Sequence, residues 1–196
     1  MYLKLKNTIS DLTSDFHKIQ MPRREKLQNL ADYIESKLDA SKPAKLNFIC
    51  THNSRRSHLA QIWTAAAARH YGVEGIETFS GGTEATAFNP RAVDALERAG
   101  FRIENPGGDN PEYRVRFDEH ADPLICFSKK FDDPLNPHGN FAAVLTCSDA
   151  DENCPFVPGA EFRISITYRD PKESDSTAEE KHTYDDRCMQ IGREMI

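Results

Sequence analysis

The sequence has no long apolar segment and no excess of positive charge. Its apolar runs are all far shorter than the roughly 20 residues that a membrane-spanning helix requires. The N-terminal segment Met1–Lys6 is too short and too polar for a signal peptide. The formal net charge of -6 at pH 7 argues against a general binder of nucleic acid or acidic membranes. We therefore predict a cytoplasmic protein that binds neither nucleic acid nor a membrane.

The sequence also lacks the cysteine density of a disulfide-stabilised secreted domain. Its five cysteines are Cys50, Cys126, Cys147, Cys154 and Cys188. In a reducing compartment such residues are more often core side chains, metal ligands or reactive thiols. Zinc sites usually contain close pairs of Cys or His, and no second pair accompanies Cys147 and Cys154. No metal site is predicted.

Apolar periodicity predicts strands alternating with helices in a chain that fits one domain. The predicted core strands are Leu46–Cys50, Ile76–Ser80, Ala121–Phe127 and Phe141–Cys147. The predicted helices are Ser57–Tyr71, a helix capped by Asn89 that ends at Gly100, and Ser176–Met195. Residues 162–168 fit either a strand or an extended loop, and residues 149–158 an irregular loop. The pattern favours an α/β three-layer sandwich with a mainly parallel four-stranded sheet.

Residues 1–44 precede the first predicted strand and read as a helical N-terminal extension. One helix is predicted through Ile9 and Ile19, ending near Pro22, and a second over Arg23–Leu38. Apolar stripes on helices usually face a core, so we expect both helices to pack on the domain formed by residues 45–196. A role in binding a partner stays open.

The segment from Cys50 to Ser57 has the composition of a loop that binds a tetrahedral oxyanion. A nucleophilic cysteine ends a strand, and a helix begins after it. The backbone N–H groups of such a loop favour a bound anion and a thiolate. Candidate oxyanion-binding residues are Thr51, His52, Asn53, Ser54 and Arg55. The alternative is that Cys50 is only a buried residue at a strand end.

Three side chains of this segment suit that chemistry. Arg56 offers a planar set of donors that can hold two oxyanion oxygens at once. The Ser57 hydroxyl can donate to the thiolate and favour its charged form. Asn53 tolerates the left-handed backbone that a tight anion loop requires.

Cys50-Thr-His-Asn-Ser-Arg-Arg56-Ser57 resembles the C-x5-R-S loop of the low-molecular-weight protein tyrosine phosphatase superfamily, which includes the thioredoxin-coupled arsenate reductases. Ser80–Thr83 and the following Phe88–Gly100 are similar to the second strand, loop and helix of that family. Tyr168-Arg-Asp170-Pro171 resembles its Asp-Pro motif. The resemblance covers residues 45 to about 195 and implies the phosphotyrosine phosphatase I-like fold. It also implies that Cys50 is the nucleophile and that Asp170 protonates the leaving oxygen.

Cys147 and Cys154 favour the reductase branch of this family over the phosphatase branch. The resemblance implies that Cys50, Cys147 and Cys154 act in a thiol-disulfide relay, with a thioredoxin-type reductant and no bound cofactor. A phosphatase does not need the last two cysteines. The alternative is a phosphatase that hydrolyses phosphotyrosine or small aryl phosphates through a phosphocysteine at Cys50. A non-enzymatic module that binds oxyanions or senses redox state is a third possibility.

The sequence departs from the family pattern at three places. His52 stands where the family commonly has Gly, and Arg55 where it often has Cys; both are expected to be surface residues, although either could strengthen the anion field. Lys172-Glu173 replaces the aromatic pair that often follows Asp-Pro in the phosphatases, which weakens the phosphotyrosine interpretation.

Four further side chains near these motifs receive structural interpretations. His58 and Gln61 follow the loop and are assigned to the exposed surface of the helix. Cys126 lies inside an apolar strand and is expected in the core. Cys188 is expected to pack beneath the last helix.

Overall fold

A four-stranded parallel sheet forms the centre of the fold, in a computed structural model that describes residues 1–153 and 156–196. In chain order the strands are β1 (Ala44–Cys50), β2 (Ile76–Gly82), β3 (Arg102–Glu104), β4 (Tyr113–Arg116), β5 (Leu124–Cys126), β6 (Phe141–Leu145) and β7 (Ala160–Ser165). The parallel sheet has the order β2-β1-β6-β7, and β3, β4 and β5 form a separate antiparallel sheet.

In the described part of the chain, six α-helices accompany the two sheets. They are α1 (Leu3–Ser14), α2 (Met21–Asp39), α3 (Arg56–Tyr71), α4 (Pro90–Ala99), α5 (Ser148–Asn153) and α6 (Glu180–Met195). Alternate residues of β1 face opposite sides of the sheet. Leu46 and Phe48 enter a large core shared with α1, α3, α4 and α6, whereas Ile49 enters a smaller core that includes Ala150 of α5. The predicted α/β fold with a parallel four-stranded sheet is confirmed.

The N-terminal helices contact the rest of the chain along their apolar faces. Leu5, Ile9 and Leu12 of α1 are at most 5% exposed and belong to the large core. The backbone of Gly100 approaches the backbone of Leu5 so closely that a Cβ at Gly100 would lie 2.7 Å from the Leu5 nitrogen. Helix α2 lies against β1 and β7.

The predicted end of the first helix is wrong. Helix α1 ends at Ser14, and a short 3-10 turn over Phe16–Lys18 separates it from α2. Pro22 does not terminate a helix, because it lies in the first turn of α2, where its missing N–H would have no helical partner.

The predicted third core strand, Ala121–Phe127, is also wrong. Within it only Leu124–Cys126 forms a strand, and this strand pairs with β4 in the antiparallel sheet. The fourth parallel strand is instead β7, from the segment that fitted either strand or loop. Ile125 is 41% exposed, so this short run lacks the two-sided burial of a strand inside a parallel sheet.

Two further predictions, for residues 149–158 and for the start of the last helix, are wrong. The predicted irregular loop at residues 149–158 contains α5, a short helix. The last helix begins at Glu180 and not at Ser176, whose backbone is left-handed (φ 64°). Among the described residues, no helix is long and apolar enough to cross a membrane.

Candidate active site

Cys50 ends β1, and α3 begins at Arg56, so residues 51–55 form the connecting loop. The Cys50 side chain is buried, and its sulfur lies 3.1 Å from the Ser57 hydroxyl oxygen. That oxygen accepts a hydrogen bond from the Asn53 side-chain amide at 2.8 Å. Asn53 has the left-handed conformation that its residue type suggested (φ 44°). The fold therefore brings three of the predicted site residues into contact: Cys50, Asn53 and Ser57.

Neighbouring segments hold this loop from outside. The Asn53 side-chain oxygen accepts from the Lys129 backbone N–H at 2.9 Å, and the Ser54 carbonyl accepts from the Asn89 N–H at 2.8 Å. A Cβ at Gly82 would lie 2.3 Å from the Glu84 oxygen and 2.7 Å from the Asn53 nitrogen. Only glycine therefore lets β2 approach the loop this closely, and the loop geometry is fixed by the fold.

Arg56 and Asp170 contact each other although they lie far apart in sequence. The buried Arg56 donates through Nη2 to Asp170 Oδ2 at 2.6 Å and through Nη1 to the Tyr168 carbonyl at 2.9 Å. The other Asp170 oxygen accepts from the Lys172 N–H at 3.1 Å, at the start of a 3-10 turn. Arg56 Nε is buried and has no hydrogen-bond partner among the described residues.

Arg55 is not a surface residue, in contrast to the expectation. Its Nε donates to the Tyr184 hydroxyl at 2.8 Å, and that hydroxyl donates to Asp175 at 2.8 Å. Burial, then the Asp175 carboxylate, raises the pKa of Tyr184 to about 12, so this phenol stays protonated. His52 does face solvent and lies 3.6 Å from the Glu84 carboxylate.

Cys147 lies beside the loop, one strand away from Cys50. It follows β6, which pairs in parallel with β1, and both cysteines belong to the smaller core. The Cys147 sulfur is fully buried, 3.4 Å from the Thr51 hydroxyl oxygen. The Ala150 N–H also donates to it at 3.3 Å from the first turn of α5. Cys154, the third predicted thiol, lies outside the described residues.

Comparison with known proteins gives the family. The family model for low molecular weight phosphotyrosine protein phosphatase matches residues 45–110. The chain is 31% identical to an arsenate reductase of Bacillus licheniformis over 137 residues, which is 70% of this chain and 81% of that protein. It is 31% identical to an arsenate reductase of Bacillus subtilis over 149 residues, 76% of this chain and 89% of that protein. The chain belongs to the low-molecular-weight phosphotyrosine phosphatase family.

Solved structures agree with this family fold. A low-molecular-weight phosphotyrosine phosphatase from Vibrio cholerae superimposes with a TM-score of 0.52 at 13% identity, covering 78% of this chain and 92% of that one. One from T. tengcongensis gives a TM-score of 0.50 at 16% identity, covering 78% and 95%. The predicted phosphotyrosine phosphatase I-like fold is confirmed, and the protein is an enzyme of this superfamily.

A polar layer lies behind the family loop, where the sequence suggested solvent. His58 and Gln61 are buried, so their assignment to the helix surface is wrong. His58 contacts the Ser80 hydroxyl at 3.2 Å and stacks on Phe88 at 4.1 Å between ring centres. Burial, then the Lys129 ammonium, lowers the pKa of His58 to about 3, so its imidazole is neutral. Nothing in the sequence indicated the buried Lys129.

The remaining described cysteines are structural in this enzyme. Cys126 and Cys188 are fully buried in the large core, as predicted. Burial raises the pKa of each thiol to about 12, so neither is a reactive thiolate near neutral pH. Within residues 1–153 and 156–196, no group of three His, Cys, Asp or Glu side chains is arranged to hold a metal ion.

Proposed function

We propose that the protein reduces arsenate to arsenite, with Cys50 as nucleophile and Cys147 as the second thiol. The observation that carries this proposal is the position of Cys147, whose buried sulfur contacts Thr51 in the loop that follows Cys50. Phosphate ester hydrolysis needs only one thiol, whereas the two-electron reduction of arsenate needs two. The curated relatives at 31% identity are arsenate reductases, which supports the same assignment.

The first step places an arsenate dianion in the loop. The N–H groups of residues 51–55 and the Arg56 guanidinium are the candidate ligands for its oxygens. The Cys50 thiolate attacks arsenic, and a sulfur–arsenic bond forms as the bond from arsenic to the hydroxyl oxygen of the dianion breaks. Asp170 lies beside Arg56 and gives its proton to the leaving oxygen, which departs as water.

The second step transfers the electrons. The Cys147 thiolate attacks the Cys50 sulfur, so that a disulfide forms and the sulfur–arsenic bond breaks. The bonding pair stays on arsenic, which changes from the +5 to the +3 state and leaves as arsenite. Thr51 contacts the Cys147 sulfur and is a candidate to orient it for this attack. Each exchange of this kind requires a thiolate with access to the sulfur it attacks.

The third step regenerates Cys50. The Cys154 thiolate attacks the Cys147 sulfur, the new disulfide joins these two residues, and Cys50 leaves as a thiolate. An external dithiol protein of the thioredoxin class then reduces the Cys147–Cys154 disulfide and is itself oxidised. The electrons that reach arsenic therefore come from this partner in each full cycle.

Mass spectrometry of disulfides after a single arsenate turnover tests the relay. We expect a Cys147–Cys154 disulfide in the wild type and a trapped Cys50–Cys147 disulfide in Cys154→Ser. Cys147→Ser should form neither disulfide and release no arsenite. Cys126→Ala, in the core, is the matched control and should retain turnover. Unmodified thiols after exposure of the wild type to arsenate, or full turnover by Cys154→Ser, would overturn the proposal.

A phosphatase activity is the second candidate function. The 2.6 Å contact between Asp170 and Arg56 favours it, because a phosphate ester also needs an acid beside the oxyanion site. Hydrolysis of phosphotyrosine that persists in Cys147→Ser, together with no consumption of reductant in the presence of arsenate, would select this function over the reductase.

A further inference from the structure

Arg23 in α2 contacts the segment that leads to Asp170. Its Nη2 donates to the Thr167 carbonyl at 2.9 Å, and its guanidinium carbon lies 4.6 Å from the centre of the Tyr168 ring. Its Nε donates to the Glu194 carboxylate of α6 at 2.7 Å. The planar guanidinium is therefore fixed by three groups at once, an arrangement that lysine cannot reproduce.

Tyr168 connects Arg23 to the proposed oxyanion ligand. Its ring is buried under Arg23, and its carbonyl accepts from Arg56 Nη1 at 2.9 Å. Asp170, two residues later, accepts from Arg56 Nη2 at 2.6 Å. The same short segment thus contacts Arg23 on one side and holds both terminal nitrogens of Arg56 on the other.

The junction around Arg23 is shielded from water. The Arg23 side chain is 18% exposed and the Glu194 side chain 5%. Gln190 donates to the second Glu194 oxygen at 3.2 Å, which fixes the carboxylate on α6. Hydrogen bonds between shielded charged groups have a defined geometry, so a shift of Arg23 would be passed on to Thr167 and Tyr168.

We propose that Arg23 is a positioning residue of the active site. It holds Thr167 and Tyr168 so that the Tyr168 carbonyl and Asp170 orient Arg56 for an oxyanion. The inference rests on the oxyanion-binding role of Arg56 in the proposed function. It gives the N-terminal extension, which lies outside the region that matches the family model, a part in substrate binding.

Protection of Cys50 by inorganic phosphate tests this role without requiring turnover. The rate at which iodoacetamide alkylates Cys50 is measured by peptide mass spectrometry over a series of phosphate concentrations. In Arg23→Ala we expect the phosphate concentration that gives half-protection to rise about tenfold, or about 1.4 kcal/mol. The rate without phosphate should not change, because Ser57 still contacts the Cys50 sulfur and still accepts from Asn53. Arg23→Lys should recover only part of the affinity.

Arg24→Ala is the matched control. Arg24 is the next residue of α2. Among the residues that the structure describes, its guanidinium donates only to the Ile19 and Phe16 carbonyls, within the extension itself. We expect this variant to bind phosphate as the wild type does. In the Arg56→Ala background, Arg23→Ala should cause no further loss, because the residue through which it acts has been removed.

A double variant separates positioning from general destabilisation. Arg23→Ala leaves the Glu194 carboxylate buried without its cation, which alone disturbs the junction. Arg23→Met/Glu194→Gln removes both charges. If Arg23 positions Thr167 and Tyr168, the double variant keeps the tenfold loss of phosphate affinity. Recovery of wild-type affinity would overturn the inference.

The outcomes also separate this inference from the proposed function. If phosphate protects wild-type Cys50 and protects Arg23→Ala equally well, only the role of Arg23 is overturned. If phosphate does not protect wild-type Cys50 at all, the oxyanion site of the proposed function is overturned and this inference with it.

Discussion

The Ser57 hydroxyl oxygen lies 3.1 Å from the Cys50 sulfur and accepts a hydrogen bond from the Asn53 amide nitrogen. The orientation of that amide is fixed, because its oxygen accepts from the Lys129 N–H. Since Ser57 already accepts from Asn53, its own proton is available to the sulfur. The loop therefore presents a hydrogen-bond donor to the nucleophile, and thiolate is the form of cysteine that such a donor favours.

Replacing Ser57 tests that donor. In Ser57→Ala we expect alkylation of Cys50 by iodoacetamide at pH 7 to slow about tenfold, because a hydrogen bond to a charged group contributes about 1.5–3 kcal/mol. Peptide mass spectrometry over time measures the rate. Ser36→Ala is the control, since that hydroxyl donates to the Tyr33 carbonyl on the exposed side of α2. An unchanged rate in Ser57→Ala would show that the serine does not stabilise the thiolate.

The close approach of β2 to the loop predicts a sharp effect at Gly82. In Gly82→Ala the new methyl group would meet the Glu84 oxygen, the Asn53 nitrogen and the Thr51 oxygen at 2.3–2.7 Å, so the loop must move. We expect phosphate to lose its protection of Cys50 and the free energy of unfolding to fall. Gly139→Ala is the control, because a Cβ there meets no atom within 4 Å. Equal phosphate protection in both variants would contradict a loop fixed by this contact.

The buried His58 predicts a dependence of stability on pH. The folded state lowers the pKa of His58 from about 6.5 to about 3, so the unfolded chain binds a proton that the folded protein does not. The free energy of unfolding must then decrease as pH falls from about 6.5 towards 3, and this residue alone removes about 2 kcal/mol between pH 7 and pH 5. Urea unfolding at the two pH values measures it.

His58→Gln should flatten that dependence. Glutamine has no titrating group, so the variant should lose about 2 kcal/mol less than the wild type between pH 7 and pH 5. Its stability at pH 7 falls as well, because the contacts with Ser80 and Phe88 change. Parallel pH dependences in the two proteins would mean that His58 becomes protonated in the folded state.

Asp151 attaches α5 to the edge strand β7 and so covers Cys147. Its carboxylate accepts from the Ser165 hydroxyl and the Arg163 guanidinium. In Asp151→Asn we expect α5 to detach from β7 more often. If the free energy of detachment falls by about 1 kcal/mol, the buried Cys147 should react about fivefold faster with iodoacetamide. Glu152→Gln, at an exposed position of the same helix, is the control. Equal Cys147 reactivity in the two variants would exclude Asp151 as the attachment.

The loop was predictable from the sequence because its functional side chains are consecutive. Eight residues contain the thiol, the left-handed Asn53 and the helix N-terminus in order. The contacts from Asn89 and Lys129 that hold the loop in place were not predictable, because they come from distant segments. Asp170 could be predicted only through the family resemblance, since an isolated Asp-Pro is usually a turn. The fold then brings it to Arg56 across more than a hundred residues.

The errors have a common physical cause. A short apolar run such as Leu124–Cys126 contains no information about its pairing partner, so apolar periodicity predicts the wrong sheet for it. Helix α3 is buried on almost all sides, so its polar residues do not mark a solvent face. Gln61 instead donates to the Thr78 carbonyl inside the protein. Arg23 lies outside every motif, and only the folded chain shows its contact with Tyr168.

The apolar face of α1 limits how far the chain can be shortened. Leu5, Ile9 and Leu12 fill the same core as Trp63, which lies in the helix that carries Arg56. A chain shortened to start at residue 44 would keep every residue of the family motifs and expose that core to water. We expect such a chain to unfold without cooperativity and to aggregate. A domain boundary placed at residue 45, where the match to the family model begins, would thus divide one folding unit.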